Sequence, residues 1–409
     1  MSYINTIDLH IMGHWISPPG TLGGTTRILI EFVKRWCLDP DITITIHTSA
    51  EGAKTLEIYE VPQKVRRFVW QGVDFSWSFN PLNHTRQVLA AIENISMVRV
   101  SDSKLTLIYS ATEFWPDVIP ATLLRRRIPE SRWLAGFFLF APAPSRGYEG
   151  MYGSREFIIP DWRLVFNKYF YQRFSLYLID RFADMLFITN ESDSPYFLNR
   201  GFSSTQIRAI YGGVDLAEVC SVVPPKQTDF AACFVGRLHP QKGIEDLLRI
   251  WQKVCEQSPK KLAIIGNALV PEYEKQMHKL CNSLGLSNYV EWFGYVDGIP
   301  KYEILKRSRI YLHTTVYDNN GMAAAEGMAA GLPAVAYDLP PLRIPYPKGM
   351  IKVPPRNIDA FANAVIELLT NTDLYTKTRK DALILVRDWD WEKRANGALF
   401  WLRKNLNLV

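Results

Sequence analysis

The chain has 409 residues and a formal net charge of +6, from 47 Lys plus Arg and 41 Asp plus Glu. Hydrophobic residues make up 47% and charged residues 22%, which excludes a disordered, collagen-like or coiled-coil chain. This mild charge excess fits an anionic ligand or an acidic membrane surface, but not the basic stripe that nucleic-acid binding usually requires. We therefore expect a globular chain of two or three domains that does not bind nucleic acid.

Strand-like and helix-like segments alternate along the first half of the chain. Short runs rich in Ile, Val, Leu and Phe predict strands at residues 4–11, 42–48, 105–109, 133–140, 185–188 and 207–211. Helical patterns between them lie at residues 25–37, 86–95, 116–126, 162–182 and 194–200. This alternation predicts a parallel sheet with helices on both faces.

The second half of the chain repeats the scheme more regularly. Strands are predicted at residues 231–235, 262–265, 290–293, 310–313, 334–337 and 350–353. Helices are predicted at residues 244–257, 273–284, 301–306, 321–330, 358–370 and 373–386. The predicted fold class is therefore α/β, with two doubly wound Rossmann-like domains.

Composition also predicts the domain boundaries. Residues 221–229 form a Pro-rich polar stretch that is typical of a short linker. We therefore predict an N-terminal domain over residues 1–220 and a C-terminal domain over residues 230–386. A last helix is predicted within residues 387–409, and its aromatic face needs a packing partner. We predict that this helix crosses back to the N-terminal domain. Packing within the C-terminal domain fits the pattern equally.

Cysteines and apolar runs bear on where the protein works. The five cysteines are odd in number and scattered without a Cys-x-x-Cys pair, so we expect neither a disulfide framework nor a zinc site. No leader peptide is visible, and the longest apolar run, residues 133–144, is too short for a membrane span of about 20 residues. We predict a cytoplasmic protein that is soluble or peripheral on the inner face of the membrane.

The loop after the strand at residues 231–235 has the chemistry of a diphosphate site. Gly236 permits a close approach of the backbone, Arg237 offers a planar set of donors, and Lys242 offers a point charge. The helix that follows adds positive partial charge at its N-terminus. The plain alternative is a turn with two exposed basic residues.

A second loop, after the strand at residues 310–313, carries two acids eight residues apart. Asp318 and Glu326 are separated by up to about 12 Å along a helix axis, which is about the distance from the sugar to the ribose of a nucleotide-sugar. Between them, Asn319 to Met322 include Gly321, which leaves N–H groups bare at the helix start. The plain alternative is a capping aspartate followed by an ordinary helix glutamate.

Two loops of the N-terminal domain carry weaker signals. Gly23 and Gly24 precede a helix and can form a phosphate cradle. The loop with Pro144, Arg146 and Tyr148 follows a buried strand, so it is a candidate acceptor site. Arginines at 125–127 and 132 and the aromatic helix at residues 162–182 suggest a membrane-facing patch, while a core strand beside solvated charges is the plain alternative.

Together these segments resemble the family 4 glycosyltransferases (GT4), retaining enzymes of the GT-B fold. The resemblance spans nearly the whole chain and is strongest over residues 207–338. It rests on residues at the family's motif positions: Gly23, Gly24, Gly236, Arg237, Lys242, Gly266, Tyr295, Asp318 and Glu326. Asp318 stands where the family's Glu-x7-Glu motif has its first Glu, and Phe140-Ala141-Pro142 stands where the family often has a His.

The resemblance implies two domains facing a central cleft and a metal-independent hexosyltransferase that needs no cofactor, the nucleoside-diphosphate sugar being its co-substrate. Arg237 and Lys242 would hold the diphosphate, Asp318 the sugar and Glu326 the ribose. The glycines, Tyr295 and residues 319–322 would complete the donor site. The resemblance says little about the sugar or the acceptor, but the aromatic and basic N-terminal domain favours a glycan or a lipid-linked saccharide as the acceptor, in glycan biosynthesis.

Two other functions fit parts of the sequence. A glycoside hydrolase needs two carboxylates on either side of one bond, whereas Asp318 and Glu326 share one loop and helix. A catalytically silent subunit that binds a partner or a membrane fits the Asp at 318 and the missing His. Hydrolysis of a nucleotide-sugar without an acceptor would distinguish the silent subunit from an enzyme.

Overall fold

A computed structural model describes residues 6–16, 22–70, 81–100, 104–141, 169–268 and 270–408. It divides the chain into two compact units. Among the described residues, the first unit comprises those up to residue 141, residues 169–212 and residues 391–408, and the second comprises Gly213–Asp390.

A seven-stranded parallel sheet forms the centre of the first unit, in the order β3-β2-β1-β4-β5-β6-β7. Its strands are β1 (Ile7–Met12), β2 (Ile42–Thr48), β3 (Arg66–Val69), β4 (Leu105–Ser110), β5 (Arg132–Phe137), β6 (Met185–Ile188) and β7 (Ile207–Ala209). The interior strand β1 is buried at all six positions, because helices cover both faces of a parallel sheet.

The helices of the first unit lie between these strands, and one returns from the C-terminus. They are α1 (Gly24–Trp36), α2 (Ala50–Ile58), α3 (Pro81–Met97), α4 (Trp115–Arg127), α5 (Tyr171–Phe182), α6 (Ser194–Leu198) and α15 (Trp391–Asn405). The last helix packs on α1, where Trp36 Nε1 donates to the carbonyl of Ala395 at 2.9 Å and Arg403 pairs with Asp39 at 2.8 Å.

A six-stranded parallel sheet forms the centre of the second unit, in the order β10-β9-β8-β11-β12-β13. Its strands are β8 (Phe230–Val235), β9 (Leu262–Ile265), β10 (Val290–Trp292), β11 (Ser308–His313), β12 (Ala334–Tyr337) and β13 (Met350–Val353). Its helices are α7 (Leu216–Ser221), α8 (Ile244–Gln257), α9 (Pro271–Ser283), α10 (Ile299–Lys306), α11 (Met322–Ala329), α12 (Pro340–Arg343), α13 (Ile358–Thr370) and α14 (Thr372–Val386). The predicted α/β class with two doubly wound domains is confirmed.

The domain boundaries differ from those drawn on composition. The sequence placed the boundary at a linker over residues 221–229, but Val214 already belongs to the second unit, where its N–H donates to the carbonyl of Trp389 at 2.7 Å. Helix α7 follows at once, capped by the side chain of Asp215. Residues 387–390 also belong to the second unit, so only the part from Trp391 onward lies in the first.

Candidate functional site

The candidate site lies at the carboxyl edge of the second sheet, where β8 and β11 are neighbours. The strand order reverses between these two strands, so their following loops diverge and leave a crevice. The loop after β8 holds residues 236–243, and the loop after β11 holds residues 314–321. The residues predicted to bind a diphosphate and a sugar therefore come to the same edge.

Hydrogen bonds join these two loops directly. The N–H of Val316 donates to the carbonyl of Gln241 at 3.0 Å, and Gln241 Nε2 donates to the carbonyl of Tyr317 at 2.6 Å. The hydroxyl of Thr314 donates to the carbonyl of Lys242 at 3.0 Å. The backbone on either side of the site is thus held in one register, which places Lys242 opposite the second loop.

Glycine is required where the loops approach most closely. Gly243 has φ +65, and a Cβ built on it would lie 2.1 Å from the carbonyl oxygen of Thr314. Gly266, at the end of β9, has φ +143, and a Cβ there would lie 1.9 Å from the carbonyl oxygen of Gly236. Side chains at these positions would push the loops apart.

Lys242 and Asp318 form the charged centre of the site together with His313. Lys242 Nζ lies 3.4 Å from Asp318 Oδ2, and His313 Nε2 lies 3.0 Å from the same oxygen. Burial alone would raise the pKa of Asp318, but Lys242 and His313 together hold it well below its usual range. Asp318 is therefore an ionised acceptor at neutral pH.

The backbone beyond Asp318 turns sharply into α11. Asp318 Oδ1 accepts the N–H of Asn319 at 2.8 Å, and Gly321 caps the helix with φ +64. The buried hydroxyl of Tyr346 donates to the carbonyl of Gly321 at 2.7 Å, which fixes the turn from behind. The side chain of Asn320 is buried, and neither of its amide atoms has a hydrogen-bond partner within the described residues.

Glu326, one turn into α11, is held by a lysine from another helix. Lys301 Nζ lies 2.8 Å from Glu326 Oε1 and 2.8 Å from Asp297 Oδ1. Burial lowers the pKa of Lys301, but Glu326, Tyr302 and Asp297 outweigh it and raise that pKa above its ordinary value. A carboxylate has about four acceptor positions, so Glu326 can accept further hydrogen bonds besides the one from Lys301.

The remaining residues predicted for the donor site line the same edge. A Cβ built on Gly236 would lie 3.8 Å from Lys242 Cδ, so the lysine stem passes over this glycine. Arg237 is exposed. The N–H of Gly266 donates to the carbonyl of Gly294 at 2.7 Å, next to Tyr295, which is 44% exposed. Met322 is the first residue of α11.

Two sets of predicted residues do not belong to this edge. Gly23 caps α1 and Gly24 is its first residue, both in the first unit. The acceptor-side residues Pro144, Arg146 and Tyr148 lie outside the described residues. Their predicted roles stay predictions.

The sequence did not predict two partners of the acids, His313 and Lys301, or the tyrosine that bonds to the Gly321 carbonyl, Tyr346. His313 was assigned only to the end of a strand, and Lys301 only to a helix. A signal existed for His313, which is a polar residue at the carboxyl end of an apolar strand, five residues before Asp318. No comparable signal existed for Lys301 or Tyr346, because each contacts a residue 25 positions away.

No group of three or more His, Cys, Asp or Glu side chains that could hold a metal ion is found in the part of the chain that the structure describes. Metal-independent chemistry stays a prediction of the sequence. The five cysteines, Cys37, Cys220, Cys233, Cys255 and Cys281, have free thiols in the structure.

The first unit holds a separate group of buried histidines at the carboxyl end of β1 and β2. His10 Nδ1 lies 3.1 Å from His47 Nε2, and His10 Nε2 lies 3.4 Å from Asp8 Oδ2. Burial, and then the neighbouring His10, lower the pKa of His47 from 6.5 to about 3. His47 is therefore neutral in the folded protein.

Most of the second unit is similar in sequence to known glycosyltransferases. Residues 221–383 match the family model described as glycosyl transferases group 1. An uncharacterised glycosyltransferase of Methanocaldococcus jannaschii is 35% identical over 34% of this chain and 35% of its own. The GDP-mannose:cellobiosyl-diphosphopolyprenol alpha-mannosyltransferase of Xanthomonas oryzae is 24% identical over 50% of this chain and 54% of its own.

A third relative is the phosphatidyl-myo-inositol mannosyltransferase of Mycobacterium leprae, 29% identical over 39% of this chain and 42% of its own. The matches to these three relatives thus span between 35% and 54% of the relatives' length.

Solved structures resemble nearly the whole chain. HepE of Anabaena, in complex with UDP, superposes with a TM-score of 0.68 at 19% identity, over 98% of this chain and 100% of that one. Sucrose-phosphate synthase of Thermosynechococcus elongatus gives a TM-score of 0.73 at 16% identity, over 99% and 100%. At these identities the likeness concerns the fold, and it confirms the GT-B fold that the sequence resemblance implies.

Proposed function

We propose that this protein is a retaining glycosyltransferase, because residues 221–383 match the model of the group 1 glycosyl transferases and the chain has the GT-B fold. It moves a sugar from a nucleoside-diphosphate sugar to an acceptor hydroxyl. The observation that carries the proposal is the convergence of Lys242, Asp318 and the N-terminus of α11 at the reversal of strand order between β8 and β11. Ligands of open α/β sheets bind at this position.

The reaction requires stabilisation of a leaving diphosphate. As the bond from the anomeric carbon to the phosphate oxygen breaks, negative charge grows on the diphosphate. Lys242 and Arg237 supply cations for this charge, and the first N–H groups of α11 supply positive partial charge. Lys242 is held in place beforehand by its loop and by Asp318, so little rearrangement is needed during the reaction.

The two acids and Asn320 recognise the hydroxyl groups of the donor. Glu326, oriented by Lys301, accepts hydrogen bonds from the ribose. Asp318 is ionised and accepts hydrogen bonds from the transferred sugar. The amide of Asn320 is buried without a partner among the described residues, and leaving it unpaired costs free energy. A sugar hydroxyl would satisfy this amide, so donor binding would recover that cost.

Relatives suggest the donors and the acceptor class to test first. Structural neighbours are bound to UDP or to UDP-glucose, and one relative is named for GDP-mannose. The names of two relatives state a diphosphopolyprenol-linked and a phosphatidylinositol acceptor. We extend the proposal to a lipid-linked saccharide as the acceptor, in glycan synthesis by a cytoplasmic enzyme peripheral to the membrane.

Binding and turnover of sugar nucleotides test the function. The affinities of UDP-glucose and GDP-mannose are measured by calorimetry, and their hydrolysis is measured without an acceptor. We expect Lys242→Ala and Arg237→Ala each to weaken donor binding at least tenfold and to lower turnover about a hundredfold. The matched control is Arg249→Ala, which removes an exposed arginine that pairs with Glu245 on α8.

Three results would contradict parts of this proposal. Failure of both donors to bind would remove the donor site. Donor binding without hydrolysis or transfer would favour the catalytically silent subunit, which the Asp at position 318 leaves open. Activity abolished by EDTA and restored by Mn²⁺ would refute metal independence.

A further inference from the structure

Helix α5 presents aromatic and basic side chains along one exposed face. Phe170, just before the helix, is 59% exposed, Phe174 is 44% exposed and Tyr177 is 61% exposed. Arg173 and Arg181 are exposed along the same line. These five positions follow the spacing i, i+3, i+4, i+7 and i+11, which places them on one side of a helix. We call this set of five residues the α5 face.

The opposite side of α5 is fully used in packing. Ser175, Leu176 and Ile179 are buried, and the two apolar residues belong to the core cluster of the first unit. The fold of the first unit therefore fixes the rotation of α5 and leaves the α5 face outward. The ring of Phe174 packs edge-on against Trp115 at 5.4 Å, yet all three aromatic residues keep 44–61% of their surface exposed, and exposed apolar clusters usually mark interaction surfaces.

The charge around the α5 face is positive. Arg126 on α4 and Arg181 both approach the ring of Phe182, at 6.0 and 5.9 Å from its centroid. The only acid of α5 is Asp180, which lies off the face and pairs with Arg200 at 3.0 Å. The surface therefore offers aromatic rings flanked by cations, without an acid on the same face.

We propose that the α5 face binds the surface of an anionic lipid bilayer and thereby brings the enzyme to its acceptor. The proposal rests on the lipid-linked acceptor of the proposed function. Aromatic rings insert at the level of the lipid headgroups, while arginine stems lie along apolar surface and their guanidinium groups bind lipid phosphates. None of the described helices is long and apolar enough to cross a membrane, so the contact is at the surface.

Sedimentation with vesicles tests the proposal on the full chain. The vesicles contain phosphatidylcholine alone or with about 30% phosphatidylglycerol, which supplies the negative surface potential. We expect binding only to the anionic vesicles and a steep decrease with salt. Phe170→Ser/Phe174→Ser should weaken binding about tenfold or more, because each ring loses its apolar burial. Arg173→Glu/Arg181→Glu should abolish the preference for anionic vesicles.

Phe400→Ser is the matched control, because Phe400 is also 59% exposed but lies on a different helix, α15. We expect it to sediment with vesicles as the unchanged protein does. Thermal unfolding confirms that each variant folds. Affinity for UDP-glucose and GDP-mannose should be unchanged in all of them, since no substituted residue is part of the donor site.

The results separate this inference from the proposed function. Normal donor binding without vesicle binding would overturn the α5 face alone. Equal losses in the Phe400 and the Phe170/Phe174 variants would overturn it too. Sedimentation velocity without lipid tests the remaining alternative. If the unchanged protein is a dimer and Phe170→Ser/Phe174→Ser makes it a monomer, the α5 face binds a second copy and the membrane proposal is overturned. Failure of both donors to bind would overturn the proposed donor site. Vesicle binding would still decide whether the α5 face binds an anionic bilayer.

Discussion

The buried ion pair between Lys301 and Glu326 gives the sharpest quantitative test of the candidate site. Replacing Lys301 by Met keeps most of the side-chain volume and removes the charge. Glu326 and Asp297 would then lie side by side without the cation that pairs with both. Water can compensate Glu326 only in part, because its side chain is only 15% exposed. The variant therefore measures what it costs to leave a buried carboxylate unpaired.

The structure sets the expected magnitude. The side chain of Lys301 is 7% exposed, and that of Asp297 is 26% exposed. Removing one partner of a buried pair costs about 3–5 kcal/mol, and the partial exposure of both acids places this case near about 3 kcal/mol. The double variant Lys301→Met/Glu326→Met removes both charges and should recover about 2 kcal/mol of that loss.

A matched pair on the surface isolates the effect of burial. Lys253 lies 2.8 Å from Asp359, the same distance as between Lys301 and Glu326, but its side chain is 44% exposed and that of Asp359 is 74% exposed. We expect Lys253→Met to change the free energy of unfolding far less than Lys301→Met. Urea unfolding at pH 7 measures all three variants. Equal losses in the two single variants, or a double variant no more stable than Lys301→Met, would refute the reasoning.

Two further predictions concern the loop backbone and the buried histidines. Gly243→Ala should destabilise the second unit by more than the control Gly285→Ala, because both have a positive φ, +65 and +71, but only Gly243 faces the carbonyl of Thr314. The control should cost about 1–2 kcal/mol for its conformation alone, and equal thermal shifts would contradict the predicted clash. Folding lowers the pKa of His47 from 6.5 to about 3, so the unfolded chain binds a proton there before the folded protein does. The contribution of His47 to the free energy of unfolding is therefore complete above pH 6.5 and is lost as the pH falls toward 3. At pH 5 the loss is about 2 kcal/mol, so His47→Gln should lose correspondingly less stability than the unchanged protein between pH 8 and pH 5 in urea unfolding. The same pH dependence in both proteins would show that His47 is not the group involved.

Local pattern predicted the regular elements where the pattern was strong. Residues 42–48, 262–265 and 350–353 are strands with the predicted bounds, and residues 244–257 form the predicted helix. These segments are apolar throughout or strongly amphipathic, so their burial depends little on the rest of the chain. The sequence did not predict strand β3, because Arg66 to Val69 form an edge strand without a buried face and therefore lack a regular apolar pattern. Such a strand owes its existence to its neighbour β2.

The sequence by itself predicted which two loops come together at one edge of the second sheet, because each of them follows a strand and combines Gly with charged residues. It did not determine which basic side chain pairs with which acid. The contact of Lys301 with Glu326 needs α10 and α11 to lie side by side, and the contact of Lys242 with Asp318 needs β8 and β11 to be neighbours. Those neighbours are separated by many residues along the chain, so only the packing of the sheet and its helices decides which basic side chain orients each acid.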